Sequence, residues 1–317
     1  VGYVYALLAA LLFGANGTVT KVVVESGLTP LQLTQFRVLG TAAIAGGVLL
    51  ASNRGGFRLR PRQLGTMAFL GVVGVALLQA SYAAALQLLP VGMTLLIEYT
   101  AVLLVALVAF FVFHERVRAR LWVAIGCVLL GLAVVARIWA STLNPLGVAF
   151  SVVAALTLAI YFIFGERQVG QTSPLVVAFW TMTFAAGFWA FFSGWWMIDP
   201  AVLVRPVSLG GTLAGVHLPL WAPLAWNVVM GTFAPFFLSF RALGRLSATA
   251  AGVVATSEVV FAFLVAWLWL GEGLDLVQIL GAAVVLVGIV LAQTARAEKS
   301  VDADLALARA ADVGGRP

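Results

Sequence analysis

Four charged side chains interrupt stretches that are otherwise almost wholly apolar: Lys21, Arg37, Glu98 and Glu258. An ionisable group inside a membrane segment costs about 2.5–3.5 kcal/mol on insertion scales, so each must be solvated near an end, paired, or turned to a cavity. Glu98 and Glu258 are candidates for holding a cationic group of a solute or for exchanging a proton. The competing reading is structural, with Glu98 tied to Arg37 on a neighbouring helix and Glu258 hydrogen-bonded between helices. Lys21 lies near a helix end, where a long stem lets the ammonium reach the interface. Uncharged polar residues add hydrogen-bonding capacity at helical spacing: Asn16 with Thr20 at i, i+4, Gln79 with Tyr82 at i, i+3, and Asn227 and Thr232 further on. Such groups also fasten helices to one another. Tyr82, Tyr99, Tyr161 and Trp180 sit deep in their segments and would wall a cavity for a flat apolar side chain. Tyr3, Tyr5, Trp122, Trp195, Trp196, Trp267 and Trp269 lie near segment ends, as interfacial belts require.

The elements that must position these residues follow from composition. Of 317 residues, 63% are hydrophobic and 9% charged, too few charges to hydrate the surface of a soluble domain and too much apolar surface for disorder. One cysteine, Cys127, and two histidines leave no internal disulfide and no zinc-finger-type site. A helix crossing the bilayer needs about 20 apolar residues. Ten such runs are expected, near 3–24, 30–51, 64–87, 91–113, 117–137, 144–164, 174–197, 223–243, 247–270 and 274–294, an all-α integral membrane fold. Turn chemistry separates them at Gly27-Leu28-Thr29-Pro30, Leu89-Pro90-Val91-Gly92, Asn144-Pro145 and Thr172-Ser173-Pro174. No run alternates polar and apolar residues as barrel strands do.

The net charge of +6 reads as an orientation signal rather than a nucleic-acid footprint. Connections after the even-numbered runs, with the tail, carry 14 of the 18 Lys and Arg residues, led by Arg54, Arg58, Arg60 and Arg62. The positive-inside rule then places both termini in the cytoplasm. No charged n-region or small-residue cleavage site precedes the first run, so no signal peptide is expected. Residues 295–317 shift to Ala, Asp, Glu and Arg and read as a polar cytoplasmic tail; residues 198–222 form the one long connection, either surface-bound or an unstructured linker.

A shift of 157 positions brings runs 3–5 onto runs 8–10, with Ala85-Leu86 on Ala242-Leu243, Leu89 on Leu246, Glu115 on Glu272 and Gly131 on Gly288. A shift of 144 places Pro30-Leu31 on Pro174-Leu175, the long 198–222 connection absorbing the difference. Residues 1–140 and 141–294 are therefore expected to be two repeats. Five helices each, an odd number, invert the second relative to the first, the symmetry that lets secondary transporters exchange inward-open and outward-open states. Glycines at 71, 74, 126, 131, 281 and 288 would let helices approach closely.

The chain resembles the drug/metabolite transporter superfamily in its EamA type, over nearly all residues up to about 294. The resemblance is carried by Ala10-Leu11-Leu12-Phe13-Gly14-Ala15-Asn16, by Pro30 through Phe36-Arg37, by Ala85-Leu86 and Ala242-Leu243, and by Glu258 with Gly271-Glu272; His114-Glu115 stands where the first repeat would carry Gly-Glu. Glu98 aligns with Ala255 and Glu258 with Ala101, so the two acids are not repeat mates. The resemblance implies ten helices in two inverted five-helix repeats and, with the deep aromatics, export of small amino acids including aromatic ones across the bacterial inner membrane. A nucleotide-sugar or broad drug exporter of the same fold is the alternative. The expected partners are this solute and membrane lipid, with proton coupling through Glu98 or Glu258 as an added element. No cofactor, metal or nucleic acid is expected. No Gly-x-x-x-x-Gly-Lys-Ser/Thr loop is present for direct ATP drive. His114 and His217 fall in connections on opposite sides, which disfavours an intramembrane enzyme, and the 23-residue tail supplies no signalling domain for a receptor.

Overall fold

The computed structural model describes residues 1–89, 91–112, 119–136, 144–271 and 275–294. The polar tail, Pro90, His114-Glu115, Arg116, Arg118, Arg137 and Glu272 lie outside the described residues. Long helices dominate: α1 Gly2–Glu25, α2 Pro30–Ser52, α3 Pro61–Leu86, α4 Val91–Glu98, α5 Ala101–Phe111, α6 Ala119–Ala136, α7 Pro145–Val169 and α8 Pro174–Phe192. They continue with α9 Pro200–Val204, α10 Trp221–Leu243, α11 Ala248–Ala255, α12 Ser257–Leu270 and α13 Leu276–Thr294. Among the described residues, seven helical segments are long and apolar enough to cross a membrane.

The turn residues start these helices as their chemistry dictates. Thr29 closes a capping box with Gln32 ahead of Pro30, Asn144 accepts from the amides of Leu146 and Gly147, and Ser173 and Ser247 each accept from the N3 amide. Gly271, at φ +71°, ends α12 in the left-handed conformation.

Two kinds of irregularity break the apolar runs. A π-helical stretch occupies Leu70–Leu77 within α3, and another occupies Val229–Phe233 within α10. The run expected at 91–113 turns at Tyr99-Thr100 between α4 and α5, and the run at 247–270 turns at Thr256 between α11 and α12. Tyr99 and Thr256 are separated by the same 157 positions that align the sequence. Packing follows a matching exchange. The first helix, α1, packs on α10, α11 and α12, while α7 packs on α3, α4 and α5; α2 lies against α8, and α6 against α13. A Cβ on Gly131 would meet the Gly281 carbonyl at 2.7 Å, so this last pair is in backbone contact. Gly126, expected to serve the same purpose, faces open space.

The 198–222 connection is folded rather than a loose linker. Strands β1 (Pro206–Ser208) and β2 (His217–Pro219) form an antiparallel hairpin with Val207 opposite Leu218. Val207, Leu220 and Leu224 bury with Val23, Val24, Leu28 and Leu33 at the adjoining ends of α1 and α2. On its other flank Trp269 Nε1 donates to the Leu209 carbonyl at 2.9 Å, and Thr212 Oγ1 donates to the Trp269 carbonyl at 2.8 Å. The hairpin thus covers the end of the bundle opposite Arg54–Arg62.

Candidate functional site

A cavity lies at the centre of the bundle, with walls from α1, α2, α3, α4, α7, α10, α11 and α12 and from Tyr99. Its free volume is about 70 Å³, room for a few water molecules. Part of its lining is apolar and aromatic. The Phe13 and Phe236 rings meet edge to face at 5.1 Å, and Tyr161 meets Phe236 in the same way at 5.5 Å, with Phe162 beside it. The Tyr161 hydroxyl donates to Ser239 Oγ at 2.8 Å, which leaves its ring face to the cavity wall.

The lining also carries polar groups. Arg37, Gln79, Tyr82, Glu98 and Glu258 reach it from α2, α3, α4 and α12. Arg37, 3% exposed, donates from Nε to Thr232 Oγ1 at 2.8 Å and from Nη2 to the Gly231 carbonyl at 3.3 Å; its Nη1 has no partner among the described residues. Thr232 in turn donates to the Asn227 carbonyl at 2.8 Å. Tyr99 donates its phenol to Glu258 Oε2 at 2.5 Å, joining the turn after α4 to α12. Both amide atoms of Gln79, the Tyr82 hydroxyl and Glu98 Oε2 are buried with no partner among the described residues. An unsatisfied buried polar group costs about 1–3 kcal/mol, so several gathered on one wall form a surface that awaits hydrogen-bonding occupants.

Beside the cavity, α1 is pinned to α10 by polar contacts. Asn16 Nδ2 reaches Thr20 Oγ1 and Asn227 Oδ1, both at 3.2 Å, while Asn16 Oδ1 is left unpaired. A Cβ on Gly231 would stand 2.0 Å from that oxygen, so glycine is what lets the Asn16 side chain lie against the π-helical stretch of α10. Gly14 plays the same part toward α12, where a Cβ would meet the Glu258 carbonyl at 2.6 Å.

Of the residues singled out in the sequence, Asn16, Gln79, Tyr82, Glu98, Tyr99, Tyr161 and Glu258 line this one cavity. Trp180 does not. It sits two turns into α8, which starts close to the 54–57 turn, and its Nε1 donates to the Gly56 carbonyl at 3.0 Å, placing the indole at the arginine end as an anchoring group. Thr20, Asn227 and Thr232 join the interhelical network rather than the wall. Arg37 bonds α10 instead of Glu98. Phe162, Phe236 and Ser239 carry no signal in the sequence, because one phenylalanine or serine in an apolar helix has no positional meaning, and Phe13 stands out only as part of the stretch Ala10–Asn16; the edge-to-face cluster forms only once α1, α7 and α10 meet.

Comparison with known proteins fits this architecture. The model of the EamA-like transporter family matches residues 1–137 and 145–294. An uncharacterized transporter of Archaeoglobus fulgidus is 27% identical over 213 residues, 67% of this chain and 71% of that protein. A crystal structure of a protein superposes with a TM-score of 0.72 over 92% of this chain and 96% of its own, at 20% identity, a likeness of fold alone. With both halves of its sequence matched, this chain belongs to the EamA-like transporter family of the drug/metabolite transporter superfamily, a family of multi-pass membrane transporters.

Proposed function

We propose that this protein exports small amino acids, aromatic members included, across the bacterial inner membrane by alternating access between two inverted five-helix repeats, residues 1–140 and 141–294, with both termini cytoplasmic. The observation that carries the reading is the cavity's two kinds of lining. An aromatic cluster of Phe13, Tyr161 and Phe236 shares its wall with a guanidinium nitrogen, an amide and two carboxyl groups. An amino acid matches both kinds: its carboxylate suits Arg37 Nη1, its ammonium suits Glu98 or Glu258, and its side chain suits the rings.

The repeat reading draws support from the 157-position recurrence of π-helical stretches and turns, and from the exchange pattern of helix packing. Alternating access also explains a cavity of about 70 Å³, which must widen before it takes a solute larger than a few waters. The contacts placed to yield are those pinning α1 and α2 to α10, since they join one half of the chain to the other. Proton coupling belongs to the same proposal, with Glu258 and its Tyr99 partner as the exchanging pair. Counterflow into liposomes bearing the purified chain tests it: labelled aromatic and small aliphatic amino acids should exchange, and movement of nucleosides or organic cations without amino acids would overturn the substrate assignment.

A further inference from the structure

A second cavity, of about 620 Å³, lies between the hairpin and the adjoining end of α1, and none of its lining residues is shared with the central one. Its size falls within the roughly 300–1,000 Å³ of small-molecule sites. One wall is a face of α1 bearing Thr18, Lys21, Val22 and Glu25, the i, i+3, i+4, i+7 pattern of one helical stripe. Asn16 and Thr20, which serve the central network, lie on a different face of the same helix. The opposite wall is β1 with Arg205 ahead of it and the Gly210-Gly211 turn behind. Both glycines hold positive φ, 72° and 52°, and present that wall without side chains.

The charges in this cavity are unspent. Lys21 and Glu25 stand four apart on a helix and could pair, yet among the described residues neither makes a side-chain hydrogen bond or ion pair, and neither does Arg205; Glu25 and Arg205 are exposed and Lys21 half-buried. Two cations and one acid around a hydrated cleft complement a group with an oxyanion and an ammonium a few bonds apart. We infer that the hairpin cavity is a second binding site, for a small zwitterion whose oxyanion lies between Lys21 and Arg205 and whose ammonium faces Glu25. Two sources carry that chemistry: the phosphoethanolamine headgroup of a membrane lipid, and a free phosphoethanolamine-like or amino-acid zwitterion. Because α1 bears this site on one face and the central network on another, occupancy would bias how α1 sits against α10.

Native mass spectrometry of the detergent-purified full chain, given equimolar phosphatidylethanolamine, phosphatidylglycerol and phosphatidylcholine, tests the inference. Selective retention of phosphatidylethanolamine is expected, and Lys21→Gln with Arg205→Gln should lower it about tenfold or more, as loss of charged hydrogen bonds implies. Glu25→Gln removes only the ammonium partner and should shift retention toward phosphatidylglycerol. Since none of these side chains bonds to the fold, melting temperatures should be unchanged. Displacement of the retained lipid by free phosphoethanolamine assigns the site to a soluble zwitterion, whereas persistence assigns it to lipid. Equal retention of all three lipids by the native chain, or phosphatidylethanolamine retention unaltered in the double variant, would overturn the site. The readout is binding, so it stands apart from whether the central cavity transports amino acids.

Discussion

Replacing Gly231 by alanine puts the proposed junction between α1 and α10 to a quantitative test. The added Cβ would stand 2.0 Å from Asn16 Oδ1 and 2.2 Å from its Cγ, so the amide must swing away. That movement breaks its two 3.2 Å bonds, to Thr20 and Asn227. Overpacking costs about 1–3 kcal/mol, and a hydrogen bond between membrane helices averages about 0.6 kcal/mol. Gly231→Ala should therefore destabilise by about 2–4 kcal/mol, a fall of roughly 3–6 °C in melting temperature in detergent. Asn16→Ala alone loses only the bonds, about 1 kcal/mol. In the double variant the obstructing amide is gone, so the pair should cost hardly more than Asn16→Ala, a coupling of about 2–4 kcal/mol. Thermal melts of the four proteins give the cycle. Additive losses would mean that Asn16 does not occupy the space above Gly231 and would refute the junction as described.

Other expectations concern the cavity and its surroundings. Arg37→Lys keeps a positive charge but loses the fork that reaches Thr232 and the Gly231 carbonyl together, so counterflow should fall about tenfold or more, with Thr232→Val intermediate. Under the coupling proposal, Glu258→Gln should abolish amino-acid flux driven by a pH gradient while sparing downhill exchange, and Tyr99→Phe should weaken the driven flux only in part; equal loss or equal retention of both fluxes speaks against coupling. Trp180→Phe removes the bond to the Gly56 carbonyl and should cost about 1 kcal/mol in stability while changing counterflow less than twofold.

Much of this arrangement is legible from residue order, and the remainder fails for physical reasons. Helix starts could be read because Thr29, Asn144 and Ser173 cap locally, and local chemistry survives translation into sequence. The turns at Tyr99-Thr100 and Thr256 could not, since a continuous apolar run looks the same whether or not its hydrogen-bond ladder shifts. The hairpin within 198–222 could be seen only as an excess of Pro and Gly, because its order comes from burial against α1 and α2. Rarity made the polar lining of the cavity visible: a Glu, Gln or Tyr in a membrane segment needs a reason. Depth counted along the chain misled for Trp180, whose surroundings depend on the 54–57 turn folding back to α8.

The central claim is that the two halves lie in the membrane with opposite orientation around one cavity. Cysteine labelling from each side measures this directly, with Cys127→Ser as background and single cysteines at Asn53→Cys, just past α2, and Met197→Cys, just past α8, both exposed positions. A membrane-impermeant maleimide should modify the first only from the cytoplasmic side and the second only from the outside. Modification of both from the same side would contradict the account.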